Sequence, residues 1–266
     1  MTTRSMLRLI ADIGYPSLLF VATVAVWEFG AWAGWFPPYV LPAPSMIVAR
    51  LADTAGLMTH HAVVTSIEIV LGFVLAVIIG VALAAMIVFV RVIDRAFYPW
   101  LVVIQVIPKV ALGPLLVVWL GFGFLPKVML AFLLSFFPVM ISAMVGLRSI
   151  DNDSLYLLRS MGADPIKIFR HLQLPSALPD IFGSMKVAIT LATVGAIVGE
   201  FIGANEGLGY VLVTANGVLD TTLIFVALTW ISVLALVFYG VIAALENASV
   251  YWHVSHRSRA AAQAAA

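Results

Sequence analysis

The chain has 266 residues, of which 63% are apolar and only 10% are charged, and its mean hydropathy is +1.12. A soluble domain is about 45–50% apolar and about 25% charged, so this composition excludes an ordinary soluble core and indicates a membrane protein. The net charge of +1 comes without a dense basic patch, which argues against a nucleic-acid-binding surface, and the lack of cysteine excludes disulfides and thiolate chemistry.

Six apolar runs are long enough to cross a bilayer, which takes about 20 residues for a helix. They predict an all-α, polytopic membrane bundle of six transmembrane helices. The first run is longer than the core of a signal peptide, so we expect it to remain as an uncleaved span. The six predicted spans are Tyr15–Trp35, Val63–Val90, Phe97–Phe122, Leu125–Leu147, Ile181–Gly203 and Thr222–Leu245.

Basic residues predict the orientation, because short cytoplasmic loops carry an excess of lysine and arginine. With the N-terminus inside, only Arg50 and Lys127 fall in outer segments. The sequence therefore predicts that both termini lie in the cytoplasm. The residues assigned to the cytoplasmic side are Arg4, Arg8, Arg91, Arg95, Arg148, Arg159, Lys167, Arg170, Arg257 and Arg259.

Three regions follow from these spans. Residues 1–62 hold the first helix and an outer connector, in which prolines suggest an extended stretch and Ser45 is expected to cap a short surface helix over Met46–Ala55. Residues 63–250 form the core, with a cytoplasmic loop over 148–180. Residues 251–266 are an alanine-rich tail that we expect to be disordered.

The third predicted span is interrupted by Pro108, Gly113 and Pro114, and it carries Lys109 near its middle. Broken backbone at membrane depth is tolerated where protein or a water-filled cavity satisfies it, and a charge there costs about 2.5–3.5 kcal/mol on insertion scales. Two interpretations remain open. Lys109 either pairs with a carboxylate in a kinked packing helix or lines a solute path; the second is favoured, with Gln105, Lys109 and Trp119 as path candidates.

The polar loop between the fourth and fifth spans predicts two short helices. Asp151, Asp153 or Ser154 can cap the first helix, Gly162 suits the left-handed residue that ends it, and Asp164-Pro165 suits the start of the second. Pro175 is expected to stop that second helix. Apolar side chains at three-residue spacing give each helix one apolar stripe, which suits either a protein groove or the lipid headgroups. The stripes are Leu155, Leu158 and Met161 on the first helix and Ile166, Phe169 and Leu172 on the second.

Glu200 is a further charge in the predicted fifth span, towards its outer end, and is followed by Gly207 and Gly209. It is either an interfacial glutamate held by water or backbone N–H groups or a fourth path candidate. The segment 208–215 suits a short helix at the outer surface.

No catalytic arrangement is present in the sequence. There is no phosphate-binding glycine loop ending in Lys-Ser/Thr, no His-Glu-x-x-His and no Gly-x-Ser-x-Gly. His60 and His61 are adjacent and do not share a helix face, so they are poor metal ligands. We therefore expect no enzyme activity, no cofactor and no metal.

The loop resembles the cytoplasmic loop of permease subunits in bacterial ABC importers, whose pattern is Glu-Ala-Ala, three residues, Gly, nine residues, Ile-x-Leu-Pro. Gly162, Leu172, Leu174 and Pro175 match in spacing, whereas Tyr156-Leu157-Leu158 replaces Glu-Ala-Ala. By this resemblance, the loop contacts an ATPase. The residues assigned to that contact are Leu158, Arg159, Met161, Gly162, Ala163, Asp164, Leu174 and Pro175.

Three other segments look like the permeases for nitrate, sulfonates, taurine and pyrimidine or vitamin precursors. They are Leu41–Pro44, Ile107–Gly123 and Val198–Tyr210, and the resemblance covers Leu41–Glu246. It implies cytoplasmic ABC ATPase subunits, a periplasmic or lipid-anchored solute-binding protein and a second permease, expected to form a homodimer. The alternatives are a secondary transporter, which predicts an internal repeat and no docking loop, or a membrane anchor, which would not need Lys109.

Overall fold

In the computed structural model, every regular element of the described residues (3–90, 96, 100, 101 and 103–250) is helical. Besides the helical residues 96, 100, 101 and 103–106, we number ten α-helices of this part of the chain in order. They are α1 (Thr3–Trp32), α2 (Pro44–Asp53), α3 (Ala55–Phe89), α4 (Gly113–Leu120), α5 (Phe124–Arg148), α6 (Asn152–Ser160), α7 (Pro165–Ile168), α8 (Leu174–Gly203), α9 (Leu208–Gly217) and α10 (Thr221–Ser249).

Four helical segments of the described chain are long and apolar enough to cross a membrane: 55–89, 124–148, 165–203 and 221–249. Shorter apolar helices cover 17–32 and 109–120, at the first and third predicted spans. The predicted all-α membrane bundle is thus confirmed. The predicted tail, 251–266, lies outside the described residues, as do positions 97–99 and 102 of the third predicted span.

At the centre of the bundle, α3 and α8 both pack against α5 and against each other. Small residues allow this approach, because a Cβ at Gly72 of α3 would lie 2.6 Å from the Ala131 Cβ. A Cβ at Gly195 of α8 would lie 2.6 Å from the Ala131 Cα. Close backbone approach of this kind is how helices gain packing energy in lipid, where the hydrophobic effect between helices is absent. The three helices therefore form the rigid frame that holds the functional side chains.

Their directions define two ends of the bundle. The end of α3, the end of α5 and the start of α8 meet beside α6 and α7, which we call the loop end. The start of α3, the start of α5 and the end of α8 meet at the opposite end, near Glu200, which we call the Glu200 end.

The third predicted span is broken, as its prolines predicted. Residues 103–106 are helical, Lys109–Leu112 form a 3-10 turn, and α4 begins at Gly113 with Pro114 in its first turn. Proline is tolerated at that position because the N–H it lacks would have no partner in the helix.

The prediction that Pro175 stops the second loop helix is wrong. A π-helical turn over Phe169–Gln173 follows α7, and Pro175 lies in the first turn of α8, so that the chain stays helical from Pro165 to Gly203. The hydrogen bonds of the π-helical turn end where the α-helical hydrogen bonds of α8 begin. Because Pro175 lies in the first turn of α8, its missing N–H removes no intrahelical hydrogen bond. The helix that contains the fifth predicted span therefore begins at the loop itself, before Ile181.

The connector after α1 holds a short helix, as predicted, but Ser45 is not its cap. The helix α2 begins at Pro44, and the Glu28 carboxylate accepts hydrogen bonds from Ser45 N at 3.0 Å and Ser45 Oγ at 2.7 Å. A carboxylate from α1 thus takes the role of the capping side chain and fastens α1 to α2.

Candidate functional site

The loop between α5 and α8 has the local geometry that its sequence predicts. Of the three capping candidates, Asp151 is the N-cap of α6, and its carboxylate accepts from Ser154 N at 3.3 Å. Gly162 has a φ of 76°, the left-handed conformation, just after α6. Asp164 caps α7 by accepting from Lys167 N at 2.7 Å. Two side-chain caps and one left-handed glycine therefore define where each of the two helices begins and ends.

The loop is also anchored to the frame. The Phe169 ring lies 4.9 Å from the Phe89 ring at the end of α3, and Ile168 is buried. A cavity of about 330 Å³ lies between the end of α3 and the loop helices, with Leu155, Arg159 and Pro165 in its lining. The loop is therefore in contact with α3 and continuous with α8.

Large apolar side chains face outward from the loop. Met161 is 73% exposed and Ile166 is 74% exposed, and Tyr156 and Leu157 are exposed beside them. Of the predicted stripe, Leu155 and Leu158 are half-buried against the protein, and only Met161 lies on the outer surface. Exposed apolar patches of this kind mark surfaces that contact another protein or lipid.

The break in the third span borders a cavity of about 580 Å³, which we call the Lys109 cavity. Gln105 and Lys109 line it, together with Phe137 and Ser142 from α5. The Lys109 Nζ donates to the Gln105 carbonyl oxygen at 3.0 Å and lies 4.7 Å above the Phe137 ring. Lys109 thus contacts a carbonyl and an aromatic face, where one interpretation expected a carboxylate.

The other two path candidates lie elsewhere. Trp119 is on α4 and is 68% exposed, and it is not part of the cavity lining. Glu200 is 2% exposed at the opposite end of the bundle, in a cluster of polar side chains. The structure therefore brings together two of the four candidates, Gln105 and Lys109.

Glu200 holds the start of α9, together with two side chains of α3. At that start, Gly207 N donates to His61 Nδ1 at 3.0 Å, and Leu208 N donates to Thr65 Oγ1 at 2.9 Å. The next N–H group, that of Gly209, donates to Glu200 Oε2. The Thr65 hydroxyl donates to Glu200 Oε1 at 2.6 Å.

This arrangement explains two glycines. Gly207 has a φ of 114°, and a Cβ at Gly207 or at Gly209 would collide with the Glu200 side chain. The predicted helix over 208–215 is confirmed as α9. Its N–H groups, which a helix start leaves without intrahelical partners, are satisfied by buried side chains from α3 and α8.

A buried ion pair completes the polar cluster. The Lys127 Nζ of α5 lies 2.6 Å from the Glu68 Oε1 of α3, and the two side chains are 8% and 0% exposed. Lys127 lies in the first turn of α5, within the fourth predicted span, and its side chain is directed into the bundle. The pair was missed, although His61, Thr65 and Glu68 share one face of α3 at four- and three-residue spacing, which marks a polar stripe in an apolar helix.

A third cavity lies beside this pair. It has a volume of about 540 Å³ and we call it the Lys127 cavity. It opens between α3, the start of α5 and the segment after α8. Its lining includes Glu68, Lys127, Phe122, Phe124, Asn205 and Glu206.

Residues 72–255 match the model of one protein family, described as the binding-protein-dependent transport system inner membrane component. The chain belongs to this family. The match covers α5, α8 and the loop, together with α3 from Gly72 onward, whereas the polar stripe of His61, Thr65 and Glu68 lies before it.

Curated relatives agree with the family. The chain is 35% identical to the riboflavin transport system permease protein RibX of Chloroflexus aurantiacus over 245 residues, 91% of each chain. It is 35% identical to the formylaminopyrimidine transport permease protein ThiX of Halalkalibacterium halodurans over 239 residues, 89% of this chain and 95% of the relative. A probable ABC transporter permease of Haemophilus influenzae is 34% identical over 224 residues, 84% and 91% of the two chains.

A solved structure shows the same fold. The inward-facing MetNI methionine ABC transporter aligns with a TM-score of 0.65 at 17% identity, over 74% of this chain and 98% of that one. The protein is thus a permease subunit of an ABC importer for a small solute, and not a secondary transporter or a simple anchor. Permeases of this family are non-enzymatic membrane subunits that work with a separate ATPase and a solute-binding protein.

Proposed function

We propose that the permease forms a solute path along the Lys109 cavity and that its loop end lies in the cytoplasm, where α6 and α7 receive the movement of the ATPase. The observation that carries the path is the half-buried Lys109 on a broken helix, lining a cavity with Gln105. A charged residue in a membrane-spanning segment is costly, and its usual place is a water-filled pathway or a protein interior.

The Lys109 cavity also supports a second permease copy. Gln105 is exposed on the side of the chain, next to Val106, which is 81% exposed. A primary amide and an ammonium on a face turned to lipid would lose their hydration without replacement. A second copy that faces this side would enclose the polar groups, so we infer a homodimer with the path between or beside the two copies.

For the loop end, the proposed partner is a cytoplasmic ABC ATPase. The residues proposed for that contact remain Leu158, Arg159, Met161, Gly162, Ala163, Asp164, Leu174 and Pro175. Support comes from the exposed Met161 and from the two caps that define where the helices begin. A subunit that does not itself hydrolyse ATP must receive force through a rigid contact with its ATPase. Capped helices joined by a left-handed glycine provide such a contact. The opposite end would then face the periplasmic or lipid-anchored binding protein, with both termini in the cytoplasm.

The solute is proposed to be small and of a kind that the relatives carry. The printed names of those relatives include riboflavin, formylaminopyrimidine, aliphatic sulfonates and taurine. We propose that Gln105 and Lys109 contact it along the path. Trp119 and Glu200 remain path candidates, but the contacts of Glu200 with Thr65 and Gly209 support the structural alternative for that residue.

Replacement of Lys109 by methionine tests the path. In vesicles that hold the permease with its ATPase and binding protein, we expect ATP-dependent uptake by the wild type and a loss of about tenfold or more in Lys109→Met, equivalent to about 1.4 kcal/mol. Methionine keeps the length of the side chain and removes only the charge and the donors.

The control is Lys109→Arg, which keeps a cation and should retain more uptake than the methionine variant. The amount of assembled complex is measured in parallel. Unchanged uptake in Lys109→Met would contradict the path, and a loss of assembled protein would favour the packing-helix alternative.

A further inference from the structure

Three ionisable side chains from three helices converge at the Glu200 end of the bundle. Lys127 of α5 pairs with Glu68 of α3. Thr65 lies one turn before Glu68 on the same face of α3, and its hydroxyl donates to Glu200 Oε1 at 2.6 Å. This contact brings the Glu200 carboxyl of α8 against the Glu68 carboxyl. A Cβ at Gly199 would lie 2.9 Å from the Lys127 Cα, so the backbone beside Glu200 also lies directly on α5.

The charges of this cluster do not balance when all three groups are ionised. Glu68 and Glu200 are 0% and 2% exposed, and they would carry two negative charges against the one positive charge of Lys127. His61 adds no charge, because its Nδ1 accepts the Gly207 N–H and the imidazole is therefore neutral. A buried carboxylate without a cation is costly, and the uptake of a proton removes that charge.

The hydrogen bonds of the cluster lead to the same result. Glu68 Oε1 accepts from Lys127, whereas Glu68 Oε2 is buried and receives no hydrogen bond from any described N–H or O–H group. The group that faces it is the Glu200 carboxyl, whose two oxygens accept from Thr65 and Gly209. Two ionised carboxyl groups offer each other only acceptors, whereas a protonated carboxyl donates to an ionised one. A single proton between Glu200 and Glu68 therefore supplies the missing donor and removes the excess charge.

We propose that Glu68 and Glu200 share one proton, and that this proton makes the buried cluster neutral and stabilises the Glu200 end of the bundle. Without it, two carboxylates would lie side by side, and their repulsion would weaken the hold of Glu200 on Gly209 at the start of α9. Glu68 lines the Lys127 cavity, so the proton can exchange with water there. This proton site is independent of the solute and of the path proposed above.

The other titratable groups nearby are separate from the carboxyl pair. His60 lies 3.9 Å from Glu206, and both are exposed. Tyr210 of α9 faces the His61 ring. The neighbouring α4 has no titratable residue, and Glu246 of α10 pairs with a lysine near the middle of α8. Between about pH 7.5 and about pH 9, ordinary histidines are neutral and ordinary lysines and tyrosines keep their protons, so this window isolates the carboxyl pair.

Infrared spectroscopy of the purified permease tests the site directly, because a protonated carboxyl has a C=O stretch that a carboxylate lacks. At about pH 7.5, where ordinary carboxyl groups are ionised, we expect this acid band in the wild type and its loss in Glu200→Gln. Glu68→Gln should lose the band as well, because Glu200 then ionises as the partner of Lys127. The matched control is Glu246→Gln, which removes a glutamate that is also 2.6 Å from a lysine and should keep the band.

Thermal unfolding gives a second readout. Above neutral pH the folded state holds one more proton than the unfolded chain, so its stability falls as the pH rises. From about pH 7.5 to about pH 9, we expect the unfolding midpoint of the wild type and of Glu246→Gln to fall by about 4 °C or more. In Glu200→Gln, which has no proton to lose, the midpoint should fall by less than half as much.

Three results would overturn the shared proton: a wild type without the acid band, a band that persists in both Glu200→Gln and Glu68→Gln, or an equal fall of the midpoint in Glu200→Gln and the wild type. Should Glu200→Gln not fold, Glu68→Gln makes both comparisons. Neither readout involves uptake or the ATPase, so the proposed function stands or falls separately.

Discussion

Replacement of Gly162 by valine is expected to abolish transport while leaving the permease in the membrane. Gly162 ends α6 with a φ of 76°, and no other atom lies within 4 Å of the place where its Cβ would be. The valine side chain therefore has room, and the expected loss comes from the free-energy cost of its backbone conformation. A side chain in the left-handed conformation costs about 1–2 kcal/mol, enough to change the population of the correct loop geometry roughly 5–30-fold.

The measurement compares purified complexes of the variant and the wild type for bound ATPase, solute uptake and ATP hydrolysis stimulated by the loaded binding protein. All three should fall in Gly162→Val. Gly162→Asn should retain more, because asparagine tolerates the left-handed region. The matched control is Gly240→Val in α10, where a Cβ also meets nothing within 4 Å and φ is not positive. Wild-type uptake and stimulation in Gly162→Val would show that this loop does not transmit the movement.

Replacement of Lys127 by methionine is expected to lower the yield of folded permease sharply. The variant leaves the Glu68 carboxylate buried without its cation, at 0% exposure, between α3 and α5. Breaking a buried ion pair in this way costs about 3–5 kcal/mol, whereas replacement of both partners by apolar residues is often neutral. The double variant Glu68→Met, Lys127→Met should therefore recover most of the folded protein.

Thermal unfolding in detergent, followed by the fraction that remains monodisperse, measures this effect. Lys186→Met is the matched control. Its Nζ is also 2.6 Å from a carboxylate, that of Glu246, but the two side chains are 23% and 19% exposed, so water can hydrate the charge that remains. A Lys127→Met variant as stable as the wild type, or a double variant no better than the single one, would contradict the role given to the pair.

The parts of the molecule that depend on neighbouring residues could be predicted from the sequence. Gly162 and Asp164 act on backbone groups within a few positions, and their residue types identify those roles directly. For the cap of α6 the residue types narrowed the choice to Asp151, Asp153 and Ser154, of which the structure has Asp151. The break around Lys109 was predicted for the same reason, because proline and glycine change the backbone where they stand.

Pairings between distant segments could not be predicted in this way. Lys127 and Glu68 are 59 positions apart, and Glu200 and Thr65 are 135 apart. Their partners are determined by how α3, α5 and α8 pack, which depends on close contacts such as that of Gly72 with Ala131. Pro175 shows a different reason, since its effect depends on the π-helical turn before it, which the residue types do not reveal.

The central claim is that the loop end meets the ATPase and the Glu200 end does not. The chain has no cysteine, so Arg159→Cys and Asn205→Cys each place one thiol, on an exposed residue at the loop end and at the Glu200 end respectively. Each variant is labelled with a thiol-linked photo-cross-linker in the assembled complex. We expect a cross-link to the ATPase from position 159 and none from position 205. A cross-link to the ATPase from position 205, with none from position 159 in a complex that retains its ATPase, would contradict this account.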